Sequence, residues 1–348
     1  MGNGETPAQL RGSVSVPGPS VPWWLALHFA IGLGGTWLAR GYALRHALID
    51  QPGERRSHDT PTPRGGGIAI VVALLVALAW QALADPERAR LPVAIGGGLL
   101  LVAGVGWIDD HRPLSPWFRL ATHAVAAAIL SWAVLVAGGG PVAAVIAFVL
   151  ALALVNIWNF MDGIDGLAAS QAGLAAFGYA LFAGSGTVAW LGLALLAACV
   201  GFLPFNLPKA RIFLGDVGSG AIGFALAALL SMLLLEPDQE GKLVLFLPIC
   251  AFSVDAALTL GARMVRGDRW WLPHTLHAYQ QWTRRNGSHG MVASAYFGWT
   301  SIAVAIMLVA RHWSPAATMS VVGVAYLASA LAWWRLQGMA GRVEREGK

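Results

Sequence analysis

The sequence predicts an all-α, polytopic integral membrane protein, and three observations carry that reading. Hydrophobic residues make up 57% of the 348 residues and charged residues only 12%, about half of the roughly 25% usual in a soluble protein. Apolar stretches of spanning length, about 20 residues for a hydrocarbon core of about 30 Å, follow one another with short breaks along nearly the whole chain. Lys and Arg gather on alternate breaks, the bias that orients a chain in a membrane.

In chain order, residues 1–21 are rich in Gly, Pro and Ser and read as a flexible tail. Arg11 is the only basic residue ahead of a full-length apolar segment. A secretory signal has a basic n-region and a short apolar core, so no cleaved signal is expected. Eleven spans are then predicted, over residues 22–40, 66–84, 91–108, 118–137, 141–159, 167–184, 187–204, 218–235, 243–262, 291–310 and 316–336. Together they form a transmembrane domain over 22–336, followed by a C-terminal tail over 337–348. With the loops alternating sides, 18 of the 23 Lys and Arg fall on one set and 5 on the other. The richer set is expected to be cytoplasmic, which puts the N-terminus outside and the C-terminus inside. The formal net charge of +5 is therefore a topology signal, and no basic-aromatic pattern argues for nucleic acid as a partner. Cys199 and Cys250 fall inside predicted spans and are assigned to core packing, with no disulfide or metal framework.

The outward loops, 85–90, 138–141, 184–186 and 236–242, are short and plain. The inward loops carry nearly all the polar residues. They hold His58, Asp59 and Arg64 in the first, Asp109-Asp110 in the second, and Asn156, Asn159, Asp162 and Asp165 in the third. Asn206, Lys209, Arg211, Phe213 and Asp216 follow in the fourth, and His274, His277, Tyr279, Gln280 and His289 in the fifth. The corresponding active-site segments are 41–65, 109–117, 160–166, 205–217 and 263–290. A carrier places polar groups near the bilayer midplane. A one-sided rim suits an enzyme with one cytosolic substrate and one lipid whose head lies at the interface.

Adjacent carboxylates at a membrane edge repel unless a cation or proton relieves them. Asp109, Asp110, Asp162, Asp165 and Asp216 all fall on this rim. Such hard oxygen donors suit Mg2+, with Mn2+ as a substitute, since Mg2+ takes one or two carboxylates plus substrate phosphates. Zinc would call for His or Cys ligand sets. The turn Gly215–Ser219 opens a span; its glycines permit close approach, and a helix N-terminus offers free N–H groups to an anion. Arg119, Lys209, Arg211 and Arg263 are placed to balance phosphate charge, and His274 and His277 add donors able to titrate near neutral pH. Asp255, inside a span, either pairs with Arg263 or shapes the site. Plainer readings exist for single elements: a helix-end ion pair of Asp109-Asp110 with Arg112, an ordinary turn at 162–166, an N-cap at Asp216. Their joint occurrence on one side points instead to Mg2+-assisted phosphoryl chemistry at a membrane face.

Five stretches together resemble the polyprenyl-phosphate N-acetylhexosamine-1-phosphate transferases: Thr60-Pro-Thr-Pro-Arg-Gly-Gly-Gly67, Asp109-Asp110, Asn156-Ile-Trp-Asn-Phe-Met-Asp-Gly-Ile-Asp-Gly-Leu167, Phe213-Leu-Gly-Asp-Val-Gly-Ser219 and His274-Thr-Leu-His277. They occur in the family order over residues 50–290. The resemblance implies that undecaprenyl phosphate attacks a UDP-N-acetylhexosamine, giving UMP and a lipid diphosphate sugar, at the cytoplasmic face of a bacterial inner membrane. It implies Asp216 as the metal ligand and Asp109 and Asp110 as a catalytic pair. Asp162 and Asn159 would shape the site, with Asn156 and Asn206 beside the substrate. Asp165 and Phe213 would contact uridine, His274 and His277 the diphosphate or sugar, and Arg119 stands near a family lysine that faces the pair. The peptidoglycan branch of the superfamily has a His-His-His run and a Lys after its aspartate pair. Here the positions read His274-Thr-Leu-His277-Ala-Tyr-Gln and His111-Arg112-Pro113, which resembles more closely the branch that starts O-antigen or lipopolysaccharide glycans. Some members of that branch use 6-deoxy sugars. A homodimer is compatible with the family but is not readable in the residues.

Overall fold

The computed structural model describes residues 19–51, 60–235, 241–269, 271–272 and 274–346. Within them every predicted span is helical. The helices are α1 (Val21–Arg45), α2 (Ile68–Ala84), α3 (Arg90–His111), α4 (Pro116–Val134), α5 (Gly140–Met161) and α6 (Leu167–Ala183). They continue with α7 (Gly186–Phe202), α8 (Asp216–Leu235), α9 (Cys250–Val265), α10 (Ala278–Asn286), α11 (His289–Val309) and α12 (Pro315–Glu346). Among the described residues, seven helical stretches are long and apolar enough to cross a membrane, and the chain is a multi-pass membrane protein. One of the seven, Pro116–Met161, is 46 residues long. It breaks at Leu135–Gly139, beside Gly138 and Gly140 with φ of 91° and 70°, so α4 and α5 fold back on each other. The ninth predicted span begins as a 3-10 run, Lys242–Ile249, in which Pro248 removes one backbone donor.

At the centre stands α8, 94% of whose apolar window is buried, against 11% for α12 at the periphery. Its small residues let neighbouring backbones close in: a Cβ on Gly223 would meet the Leu154 carbonyl, and one on Gly106 the Asp216 backbone. Such close approach by small residues is the usual basis of helix association in lipid. Cys199 and Cys250 are buried free thiols in this packing.

Two features depart from a plain helix-and-loop reading. The first inward loop contains a small antiparallel pair, β1 (Ile49–Asp50) and β2 (Thr62–Pro63), with Ile49 opposite Pro63 and Asp50 opposite Thr62. The segment after β2 is strapped to the chain ahead of α8. Phe213 N donates to the Pro63 carbonyl (2.8 Å), Gly66 N to that of Phe213 (2.9 Å) and Gly67 N to that of Leu214 (2.9 Å). The loop expected over 263–290 contains α10, whose last turn bears Arg284 and Arg285. His58 and Asp59 lie outside the described residues.

Candidate active site

Four helix ends meet at one end of the bundle, and each brings one polar side chain. Asp109 sits in the last turn of α3, Arg119 in the first turn of α4, Asn159 in the last turn of α5, and Asp216 opens α8. The sharp turn between α3 and α4 is held by Leu114 N, which donates to Asp109 Oδ1 (2.6 Å), and by Ser115, whose Oγ accepts from Phe118 N (3.2 Å). This folds Arg119 back over the α3 terminus. Its Nη1 donates to Asp109 Oδ2 (2.8 Å) and lies 2.8 Å from Asp216 Oδ2, while Nη2 donates to Asn159 Oδ1 (3.1 Å). Asn159 Nδ2 in turn donates to Asp216 Oδ1 (3.0 Å) and Ser219 Oγ (3.1 Å). One guanidinium and one amide thus hold two carboxylates face to face.

Asp110 points elsewhere. Its carboxylate, 2% exposed, accepts from Asp216 N (3.1 Å) and Val217 N (3.2 Å). Arg64 Nε stands 3.8 Å from the same carboxylate, and Arg64 Nη2 donates to the Asp110 carbonyl. The expectation that the α8 N-terminus offers free N–H groups to a phosphate is therefore corrected. The anion at that helix end is the protein's own Asp110, and the next two N–H groups, of Gly218 and Ser219, are taken by the Gly215 carbonyl (both 3.0 Å). Gly215 has φ +72°, and a Cβ there would crowd Asp110 Oδ2, so glycine is required for this contact.

The turn after α5 carries Asp162, which makes no hydrogen bond to the described residues. Burial and then the charges of Asp216, Asp110 and Asp165 push its carboxyl up to about 8, from an ordinary 3.8. No group of three His, Cys, Asp or Glu side chains among the described residues could hold a metal ion unaided. Mg2+ keeps waters and binds substrate phosphates alongside one or two carboxylates, and Asp216, with Asp109 beside it, is where such an ion would be held.

The other sequence-selected residues divide into framework and open groups. Asp165 is buried; its Oδ2 accepts from Ala210 N (3.2 Å) and lies 3.3 Å from His289 Nδ1. Asn206 is consumed by the backbone: Oδ1 accepts from Gly166 N (2.7 Å) and Nδ2 donates to the Ile212 carbonyl (3.0 Å). These contacts lock the 162–167 turn to the 205–213 segment. Asn156 donates to the Leu152 carbonyl within its own helix (2.7 Å). Phe213 is half-buried beside Gly215 and Asp216, and Lys209 is exposed. Arg211 is exposed and lies over the Phe205 ring at 5.1 Å.

His274 and His277 stack at 4.9 Å, and His277 also faces Phe160 at 6.0 Å. The expectation that the pair titrates near neutrality is corrected for His274. Burial, then the neighbouring His277 and Arg263, lower it to about 4, so it is neutral at pH 7. Arg263 donates to the Leu272 and Arg269 carbonyls (3.0 and 2.9 Å) and does not pair with Asp255. The partners of Arg64, His289 and Asp255 were not legible in the sequence, because each acts on backbone or side chains distant in the chain.

A family model described as glycosyl transferase family 4 matches residues 92–234, which span the Asp109, Asn159 and Asp216 segments. The chain is 29% identical to a decaprenyl-phosphate N-acetylglucosaminephosphotransferase of Mycobacterium leprae, across 79% of this chain and 78% of that protein. It is 30% identical to an undecaprenyl-phosphate alpha-N-acetylglucosaminyl 1-phosphate transferase of Thermotoga maritima, across 71% and 76%. A phospho-N-acetylmuramoyl-pentapeptide-transferase of Chlorobium phaeobacteroides is 27% identical, across 67% and 75%.

Proposed function

This chain belongs to glycosyl transferase family 4 and is a polyprenyl-phosphate sugar-1-phosphate transferase, and from that premise we propose that it transfers N-acetylhexosamine 1-phosphate from a UDP-sugar to undecaprenyl phosphate. UMP is released, and the step opens an O-antigen, lipopolysaccharide or other cell-envelope glycan. The names of the relatives put N-acetylglucosamine first among donors; a 6-deoxy relative comes next. The reaction runs at the cytoplasmic face of a bacterial inner membrane, in a chain of eleven spans with its N-terminus periplasmic and its C-terminus cytoplasmic. The observation that carries this reading is the convergence of Asp109, Arg119, Asn159 and Asp216 on one end of the bundle.

A phosphate oxygen of the lipid attacks the sugar-linked phosphorus. One P–O bond forms there, the bond to the UMP phosphate breaks, and UMP leaves with the electron pair. Phosphoryl transfer of this kind depends on positioning and charge neutralisation more than on covalent help. Asp216 would hold Mg2+, or Mn2+ in its place, which would supply charge neutralisation for the diphosphate. Of the pair Asp109 and Asp110, one takes a proton from the lipid phosphate in this reading, and the contact of Asp109 with Arg119 favours Asp109. Arg119, between Asp109 and Asp216, would supply positive charge to the phosphate oxygens. Asp110 keeps Asp216 in place through the α8 backbone, and Asp162 and Asn159 shape the site. In this reading Phe213 and Asp165 contact uridine, and His274 and His277 contact the diphosphate or sugar. Direct attack is preferred to a covalent route because a phosphate oxyanion is already a competent nucleophile; a phosphoryl-enzyme trapped on Asp110 would reverse that choice. The test is release of UMP by purified protein given undecaprenyl phosphate, Mg2+ and a panel of UDP-sugars. Absence of UMP with every N-acetylhexosamine donor refutes the proposal.

A further inference from the structure

Asp255 is a carboxylate in α9, 2% exposed, that the chemistry above does not use. Four hydrogen-bond donors from α9, α10 and α11 reach it, with a histidine beside them. Oδ1 accepts from Ala278 N (2.8 Å) and Thr259 Oγ1 (3.2 Å), Oδ2 accepts from Tyr279 N (3.2 Å) and Tyr296 Oη (3.0 Å), and His277 Nδ1 lies 3.5 Å from Oδ1. The two backbone donors are the first N–H groups of α10. A carboxylate there meets both the orphan N–H groups and the positive end of the helix, the arrangement Asp110 makes at α8. Removing it would strand those N–H groups and the Tyr296 hydroxyl away from water, at a cost no neighbour can offset.

What hangs from this anchor matters more than the anchor. His277 immediately precedes α10 and stacks on His274. Tyr279, in the first turn, donates from Oη to the Phe160 carbonyl (2.9 Å), two residues ahead of Asp162. A Cβ on Gly163 would overlap that hydroxyl, so the turn carrying Asp162 is closed against Tyr279. Asp255 therefore sits at the root of two connections, one to the histidines and one to the Asp162 turn. It does not touch the Asp109–Arg119–Asp216 cluster; with Tyr296, Trp299 and Trp333 it lines a separate cavity of about 220 Å3.

We propose that Asp255 is a positioning residue that sets His274, His277 and the Asp162 turn against the carboxylate cluster by holding the first turn of α10. This rests on the transferase reading for its kinetic arm only. In Asp255→Asn, amide hydrogen exchange over 274–286 becomes faster while exchange over 216–235 is unchanged, because loss of a local anchor opens a local unit. Turnover falls about 10- to 100-fold, the scale expected when reacting groups are misplaced by about 1 Å. A merely structural role would not give the third result. Asp255→Asn combined with His277→Ala is no slower than the slower single variant to within about twofold, since both act through one unit. Unchanged exchange over 274–286, or a double variant whose loss is the product of the singles, overturns the proposal. Tyr296→Phe, which removes one donor and leaves the carboxylate in place, supplies a milder variant if Asp255→Asn does not fold. It raises exchange over 274–286 in the same direction, and no change there overturns the proposal as well. If the unaltered protein releases no UMP, the transferase reading fails, and hydrogen exchange still decides the anchor.

Discussion

Replacing Asp110 by Asn separates a carboxylate that builds the site from one that reacts in it. Asp110 accepts from Asp216 N and Val217 N at 3.1 and 3.2 Å, with Arg64 Nε 3.8 Å away. An asparagine keeps one acceptor oxygen and turns an NH2 group toward the other backbone donor. One hydrogen bond to a charged group is lost, roughly 1.5–3 kcal/mol. Loss of the negative charge at a buried helix N-terminus adds about 0.3–2 kcal/mol. The sum, roughly 2–5 kcal/mol, corresponds to a drop in melting temperature of roughly 4–10 °C at about 2 °C per kcal/mol for a chain of this size. The assay is thermal unfolding of detergent-solubilised protein without Mg2+ or substrate, alongside UMP release. Asp109→Asn is the comparison: Arg119 still bridges Asp216 and Asn159 there, so its melting point moves less while its activity falls. If Asp110→Asn melts within about 1 °C of the unaltered protein yet loses turnover, Asp110 reacts and the capping argument is wrong.

Three further outcomes are expected. Asp216→Ala abolishes turnover and its dependence on Mg2+; retained Mg2+-dependent UMP release would move the metal to Asp109. Phe213→Ala raises the donor KM more than it lowers kcat, because stacking on uracil is mostly uniform binding; an unchanged KM removes Phe213 from the nucleotide. Asp162 carries a folded-state pKa of about 8 against an ordinary 3.8, so folding favours its protonated form. Its contribution is full below about pH 4 and is lost as pH rises through 8. In Mg2+-free buffer the melting temperature should fall across that window, and Asp162→Asn should flatten the fall; parallel curves for the two proteins refute the assignment.

Sequence by itself determined the solvent, the helices and the end of the bundle at which the candidate residues gather. Apolar runs at 22–40 through 316–336 became helices because a chain in lipid must satisfy its backbone internally, a constraint local enough to read in one dimension. The placing of Asp109, Asn159 and Asp216 at one end follows from helix length and alternation. Arg119 belongs with them because α4 starts a few residues after α3 ends. Tertiary structure alone decided what each polar group does there. Successive residues in a helix point about 100° apart, so Asp109 faces Arg119 while Asp110 faces the α8 backbone, a division no dipeptide reveals. Asn206 and Asp165 accept from Gly166 N and Ala210 N, partners that no motif reveals. Asp255, open between two readings in the sequence, is settled by donors from α9, α10 and α11. A buried carboxylate takes whatever donors the packing brings to it, and those donors come from segments whose meeting is written only in three dimensions.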